Sequence, residues 1–156
     1  MESLERFLRQ HPFCRELDEQ HLQLMVGCAS NMRVDPGQHF FREGDPANEF
    51  YLIRSGRVSV EFFAAQRGTI TLLTLGDGDV LGWSWLFPPY RWSFDARALD
   101  LTRAIAFDGK CIRGKFEQDY KLGYEIMKRS VGIIEQRLEA ARMQLLNVYG
   151  AHAESR

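Results

Sequence analysis

From Met32 to Asp108 the chain is a succession of short apolar runs, each cut off by a turn signal at intervals of roughly ten residues. Nothing else in the 156 residues constrains the fold as strongly. Runs this short suit strands joined by tight reversals and are too brief for packed helices. The reversals are Asp35-Pro36-Gly37, Glu43-Gly44-Asp45-Pro46, Ser55-Gly56, Arg67-Gly68, Gly76-Asp77-Gly78 and Leu99-Asp100. Strands are predicted between them at Gln38–Arg42, Phe50–Ile53, Val58–Phe63, Thr69–Leu75, Val80–Leu81, Ser93–Ala98 and Thr102–Phe107. Seven runs are delimited in this way, and the expected total is about eight strands, the number a jelly roll uses.

Helical patterns flank this region. In residues 1–30, Leu4, Phe7 and Leu8 share one face of a first helix that His11-Pro12 ends. Phe13 and Leu17 lead into a second helix, capped by Asp18 or a neighbour, with Leu22, Met25, Val26 and Ala29 as its buried stripe. In residues 109–149, Asp108 caps a short helix holding Cys111, Ile112 and Phe116, and a long proline-free helix runs from about Asp119 to Tyr149. Its apolar positions are Tyr124, Met127, Val131, Ile134, Leu138, Ala141, Leu145 and Val148, at steps of 3, 4, 3, 4, 3, 4 and 3. A 3.5-residue repeat held this long is a coiled-coil seam and favours a parallel homodimer. Ile126, Ile133 and Leu146 widen the stripe, so the helix also touches its own barrel; a helix packed only on its own domain is the alternative. The expected architecture is α+β: one domain over 1–156, with an eight-stranded antiparallel jelly-roll barrel at 31–108, N-terminal helices and a long C-terminal dimerisation helix.

Twenty Lys and Arg against 21 Asp and Glu leave no broad field for nucleic acid or anionic lipid. No apolar run reaches the ~20 residues of a membrane span. The opening helix lacks a signal peptide's apolar stretch, which points to the cytoplasm. Cys14, Cys28 and Cys111 are odd in number and far apart, so each is expected to be a free thiol. His11, His21, His39 and His152 form no metal-ligand pattern, and no nucleophile stands beside a base. No metal site and no enzyme are expected.

The candidate site is GWSWLFPPYRWSFDARA, Gly82 to Ala98. A strand, a glycine, a brief helix from Trp83 to Phe87, a Pro88-Pro89 stop and Arg91 are the parts of a small anion cradle. The competing reading is that the tryptophans plug the end of the barrel. Candidate pocket residues are Gly82, Trp83, Ser84, Trp85, Arg91, Trp92 and Ser93.

With these segments in hand, the chain resembles the cyclic nucleotide-binding domain of Crp/Fnr-type regulators, protein-kinase-A regulatory subunits and cyclic-nucleotide-gated channels. FREGDPANEFYLIRSGRVSV, Phe41 to Val60, carries the family's glycine-punctuated motif at Gly44, Asp45, Phe50, Leu52, Ile53, Gly56 and Val58. Gly78-Asp79-Val80-Leu81-Gly82 matches the approach to its phosphate-binding cassette. The resemblance implies dimerisation through the long helix, here Tyr124, Met127, Val131, Ile134, Leu138, Ala141 and Leu145. It also implies a glutamate for the ribose hydroxyl and an arginine for the cyclic phosphate. The glutamate position holds Trp83 and the arginine position holds Trp92. Arg91 is one residue out of register and in a strand would face the other way. Ser93 matches a small polar position beside the phosphate, and Arg97 is expected to face solvent or a carboxylate.

A charged hydrogen bond is worth roughly 1.5–3 kcal/mol. Losing both contacts removes about 3–6 kcal/mol, or about two to four orders of magnitude in affinity. The expected function is therefore a stand-alone sensor domain with a degenerate cassette that does not bind cAMP or cGMP in the usual way. The alternative is a genuine cyclic-nucleotide receptor using Arg91 and Ser93, with Glu135 and Gln136 as a lid on the base. No cofactor is required; a cyclic nucleotide or another small ligand is left open, as is a protein partner. The family's regulators add a helix-turn-helix domain of about 70 residues after the long helix. None fits in AHAESR, so this chain alone is not expected to bind DNA.

Overall fold

The structure, a computed structural model, describes residues 3–154. Two helices, α1 (Leu4–Gln10) and α2 (Glu19–Gly27), precede eight strands. The strands are β1 (Ala29–Val34), β2 (His39–Phe41), β3 (Glu49–Ser55), β4 (Val58–Ala64), β5 (Gly68–Leu75), β6 (Val80–Leu81), β7 (Asp95–Ala98) and β8 (Thr102–Asp108). Helices α3 (Gly109–Gln118) and α4 (Tyr120–Glu154) follow. The strands form two four-stranded antiparallel sheets, ordered β1-β8-β3-β6 and β2-β7-β4-β5. This is the expected α+β jelly roll. The sequence pattern did not place β1, because its residues Ser30, Asn31 and Arg33 are exposed and interrupt any apolar run.

Alternation along β3 and β8 builds the layers. Phe50 and Leu52, with Ile105 and Phe107, enter a core shared with Leu8, Leu22, Met25, Ile112, Leu122 and Ile126 of the helices. Their neighbours Tyr51 and Ile53, with Ala104 and Ala106, enter a second core with Phe41, Val58, Val60, Leu75, Leu81 and Ala96. A period of two therefore puts helices on one face of the first sheet and the second sheet on the other. Both faces are buried, so β3 reads as a continuous apolar run.

The helix ends follow local chemistry. The Ser3 side chain accepts from the Arg6 amide at 3.2 Å, and Asp108 accepts from the Cys111 amide at 3.1 Å. Asp18 precedes α2 without a side-chain cap; its carboxylate accepts from Lys121 at 3.1 Å instead. His11 is buried at the end of α1: its Nδ1 accepts from the Phe13 amide at 3.0 Å, so Nε2 carries the proton and donates to the Gly78 carbonyl at 2.6 Å. Burial holds this imidazole below its ordinary pKa.

The cysteine expectation requires a correction. Cys28 and Cys111 form a disulfide across 83 residues, and only Cys14 is free among the described residues. Sequence spacing gave no sign of it, because the fold alone brings the end of α2 beside α3.

Candidate functional site

The site begins where β6 ends. Gly82 has φ +96°, a left-handed conformation that favours glycine. A Cβ built there would lie 2.5 Å from Cη2 of Trp92 and 2.7 Å from Cζ3. The Trp92 indole thus rests directly on the glycine. The ring also stacks on Phe41, at 3.7 Å between centroids with 9° between planes. The backbone of Trp92 is fixed twice to the preceding turn: its amide donates to Asp45 at 3.0 Å, and its carbonyl accepts from Gly44 at 2.8 Å.

This pairing decides which way the neighbours point. Trp92 is buried and turned inward, so Arg91 faces outward, where its Nη1 donates to the Gly44 carbonyl at 2.8 Å. Arg91 is exposed and does not line the cleft described next. Arg97 forms a two-pronged pair with the buried Glu61 at 3.1 and 2.7 Å. That pair holds the Glu61 carboxyl below the usual glutamate range.

Between the barrel mouth and α4 lies a cleft of about 480 Å³. Gly82, Trp83, Ser84, Trp92 and Ser93 line it from the barrel segment, with Phe41, Val60, Leu72, Leu73, Leu81 and Phe94. Ile134, Arg137, Leu138, Ala140, Ala141 and Gln144 line it from α4. The brief helix of the cradle is a three-residue 3-10 turn, Ser84–Leu86. Trp85 within it belongs elsewhere: it is buried in the helical core and stacked on Phe50 at 4.4 Å. Its carbonyl accepts from Arg113 at 2.5 Å. Glu135 and Gln136 are exposed and not among the cleft-lining residues; the adjacent Ile134 and Arg137 occupy that place.

Among the described residues lining the cleft, Arg137 is the one charged side chain, and sequence reasoning missed it. Its guanidinium donates to the Val80 carbonyl and lies 5.4 Å over the Trp83 ring. Burial lowers its pKa, while Asp79 nearby favours the charged form. Arginine remains protonated under such shifts. A signal existed: Leu122, Ile126, Ser130, Ile133 and Arg137 follow at steps of 4, 4, 3 and 4. Leu122, Ile126 and Ser130 on this stripe are buried. Arg137 continues the barrel-facing stripe rather than the solvent face. The heptad seam runs beside this stripe: Tyr124, Val131, Leu138 and Leu145 are 64%, 55%, 68% and 55% exposed, and its members Ile134, Leu138 and Ala141 border the cleft.

Among the described residues, no group of three or more His, Cys, Asp or Glu could hold a metal ion, and no helix is long and apolar enough to cross a membrane.

The family profile described as cyclic nucleotide-binding domain matches residues 31–119. A curated relative, cyclic nucleotide-gated ion channel 18 of Arabidopsis thaliana, is 33% identical over 76 residues, 48% of this chain. The match spans only 11% of that channel's length. A putative cyclic nucleotide-binding protein of Geobacter metallireducens superposes with a TM-score of 0.77 at 25% identity, covering 88% of this chain and 99% of that one. The catabolite activator protein of Thermus thermophilus is similar in fold, with a TM-score of 0.69 at 21% identity over 88% of this chain and 63% of its own.

Proposed function

Because the chain belongs to the cyclic nucleotide-binding domain family, we propose that it is a regulatory sensor module whose cleft does not grip cAMP or cGMP in the family's usual way. One observation carries this reading: the Trp92 indole lies against Gly82 and on Phe41. The resemblance calls for a guanidinium on a cyclic phosphate at that position. Trp83, at the ribose-binding position, offers an indole N–H but no acceptor for a sugar hydroxyl. Arg91 lies outside the cleft lining, with its Nη1 on the Gly44 carbonyl.

The module is a binding unit rather than a catalyst, and it works as a homodimer. The exposed seam of α4 meets the same seam of a second copy, and the cleft lies beside it, since Ile134, Leu138 and Ala141 serve both. Occupancy of the cleft then bears on the interface, which gives a sensor its output.

Calorimetric titration with cAMP and cGMP tests the ligand reading. The expected result is no saturable heat below about millimolar nucleotide, from the two to four orders of magnitude lost with both polar contacts. Saturable binding at low micromolar concentration would overturn it.

A further inference from the structure

The cleft that no longer suits a sugar phosphate is neither closed nor featureless. Its size falls within the range of small-molecule sites, about 300–1,000 Å³. Its walls are aromatic and aliphatic: Trp83, Trp92, Phe41, Leu73, Leu81 and Ile134. Such walls, with both indoles among them, favour a flat or slender apolar body.

The polar groups are few. Ser84, Ser93 and Gln144 are neutral, Arg137 is cationic, and no carboxylate lines the cleft among the described residues. Arg137 has five N–H donors, and one hydrogen bond is evident, to the Val80 carbonyl. No buried side-chain nitrogen or oxygen lacks a partner among the described residues, so the other donors of Arg137 are reachable from the cleft or from solvent. A guanidinium held over an indole and desolvated by its surroundings is a preorganised anchor for a carboxylate or a similar anion.

We propose that the cleft binds a small amphipathic anion, an aromatic or aliphatic body carrying one anionic head, with the head on Arg137 and the body between Trp83 and Trp92. This rests on the preceding reading that the cleft is a ligand site without the usual nucleotide chemistry. The charge complementarity is specific. A neutral analogue of the same shape gains the apolar contacts but not a charge-assisted hydrogen bond to the guanidinium, whose present partners are the Val80 carbonyl and the nearby Asp79. Carboxylate, sulfonate and phosphate heads share this chemistry, and paired ligands distinguish them.

Titration with 1-naphthoate and with its neutral counterpart 1-naphthalenemethanol, read by quenching of tryptophan fluorescence, tests the proposal. Naphthoate is expected to quench saturably and to bind at least about tenfold more tightly than the alcohol, the worth of a charge-assisted hydrogen bond. Arg137→Gln should remove that preference, so that acid and alcohol bind equally, with a circular-dichroism spectrum like the parent's showing that the fold is intact. Ala141→Phe, on an exposed position of α4 facing the cleft, should weaken both ligands about tenfold or more. Naphthalenesulfonate and naphthyl phosphate, run in parallel, rank the heads.

Equal affinities for acid and alcohol in the unmodified chain overturn the proposal. So do unchanged naphthoate binding in Arg137→Gln or in Ala141→Phe, and absence of saturable quenching. If naphthoate fails while cAMP also fails, only this inference falls. Low-micromolar cAMP binding removes the sensor reading beneath it.

Discussion

Gly82 and Trp92 form one unit, and the energetics of the site turn on it. The glycine supplies a left-handed turn, and the indole fills the space where a Cβ would stand. Gly82→Ala meets both obstacles. Forcing alanine into positive φ costs roughly 1–3 kcal/mol, and crowding a packed ring costs about 1–3 kcal/mol more. The expected outcome is a fall in Tm of about 5 °C or more, given about 2–4 °C per kcal/mol for a chain of this size. Thermal unfolding by circular dichroism checks it, and a Tm within a degree of the parent would refute the packing described. Trp92 was legible as an aromatic residue in the Gly82 to Ala98 segment. Its direction was not, because that depends on the two backbone bonds to Gly44 and Asp45 that turn Trp92 in and Arg91 out.

Between elements, the Arg97–Glu61 pair ties β7 to β4 at the edge of the second core. Glu61 is buried with its carboxyl pKa lowered, chiefly by the hydrogen bond from Arg97. A depressed folded-state pKa contributes stability above the unfolded value, about 4.3, and that contribution is lost as pH falls through the folded-state value. Glu61→Gln is therefore expected to be less stable than the parent near neutrality, with the gap narrowing toward pH 3. Urea unfolding across that range measures it; a gap that stays constant or widens would show that the carboxylate contributes nothing through its charge. Of the two surroundings expected for Arg97, solvent or a carboxylate, the fold supplies the carboxylate. Which one it is depended on the register of β4 against β7, and single-chain patterns do not reveal strand pairing.

At the scale of the molecule, α4 has two faces with different fates. One stripe, through Leu122, Ile126, Ser130 and Ile133, packs on the domain and continues to Arg137. The other keeps Tyr124, Val131, Leu138 and Leu145 exposed. Large apolar side chains aligned at heptad spacing on an exposed helix call for a partner helix. The double variant Val131→Asp, Leu145→Glu touches neither the core nor the cleft. It is expected to be a folded monomer by sedimentation velocity where the parent sediments as a dimer. A parent that is monomeric at tens of micromolar would dismiss the homodimer.

The sequence by itself determined the class of the fold, the order of its elements apart from β1, the long helix, and the presence of Trp83 and Trp92 in the segment after Gly82. These are local properties: turn chemistry, hydrophobic period and residue identity at a position in a motif. The tertiary structure decided what those residues face. It put Trp92 over Gly82, sent Trp85 to the opposite core, joined Cys28 to Cys111, and brought Arg137 from a distant helix to the mouth of the barrel. Each of these is a contact across the chain, and such contacts are set by how layers pack, which no local run of residues records.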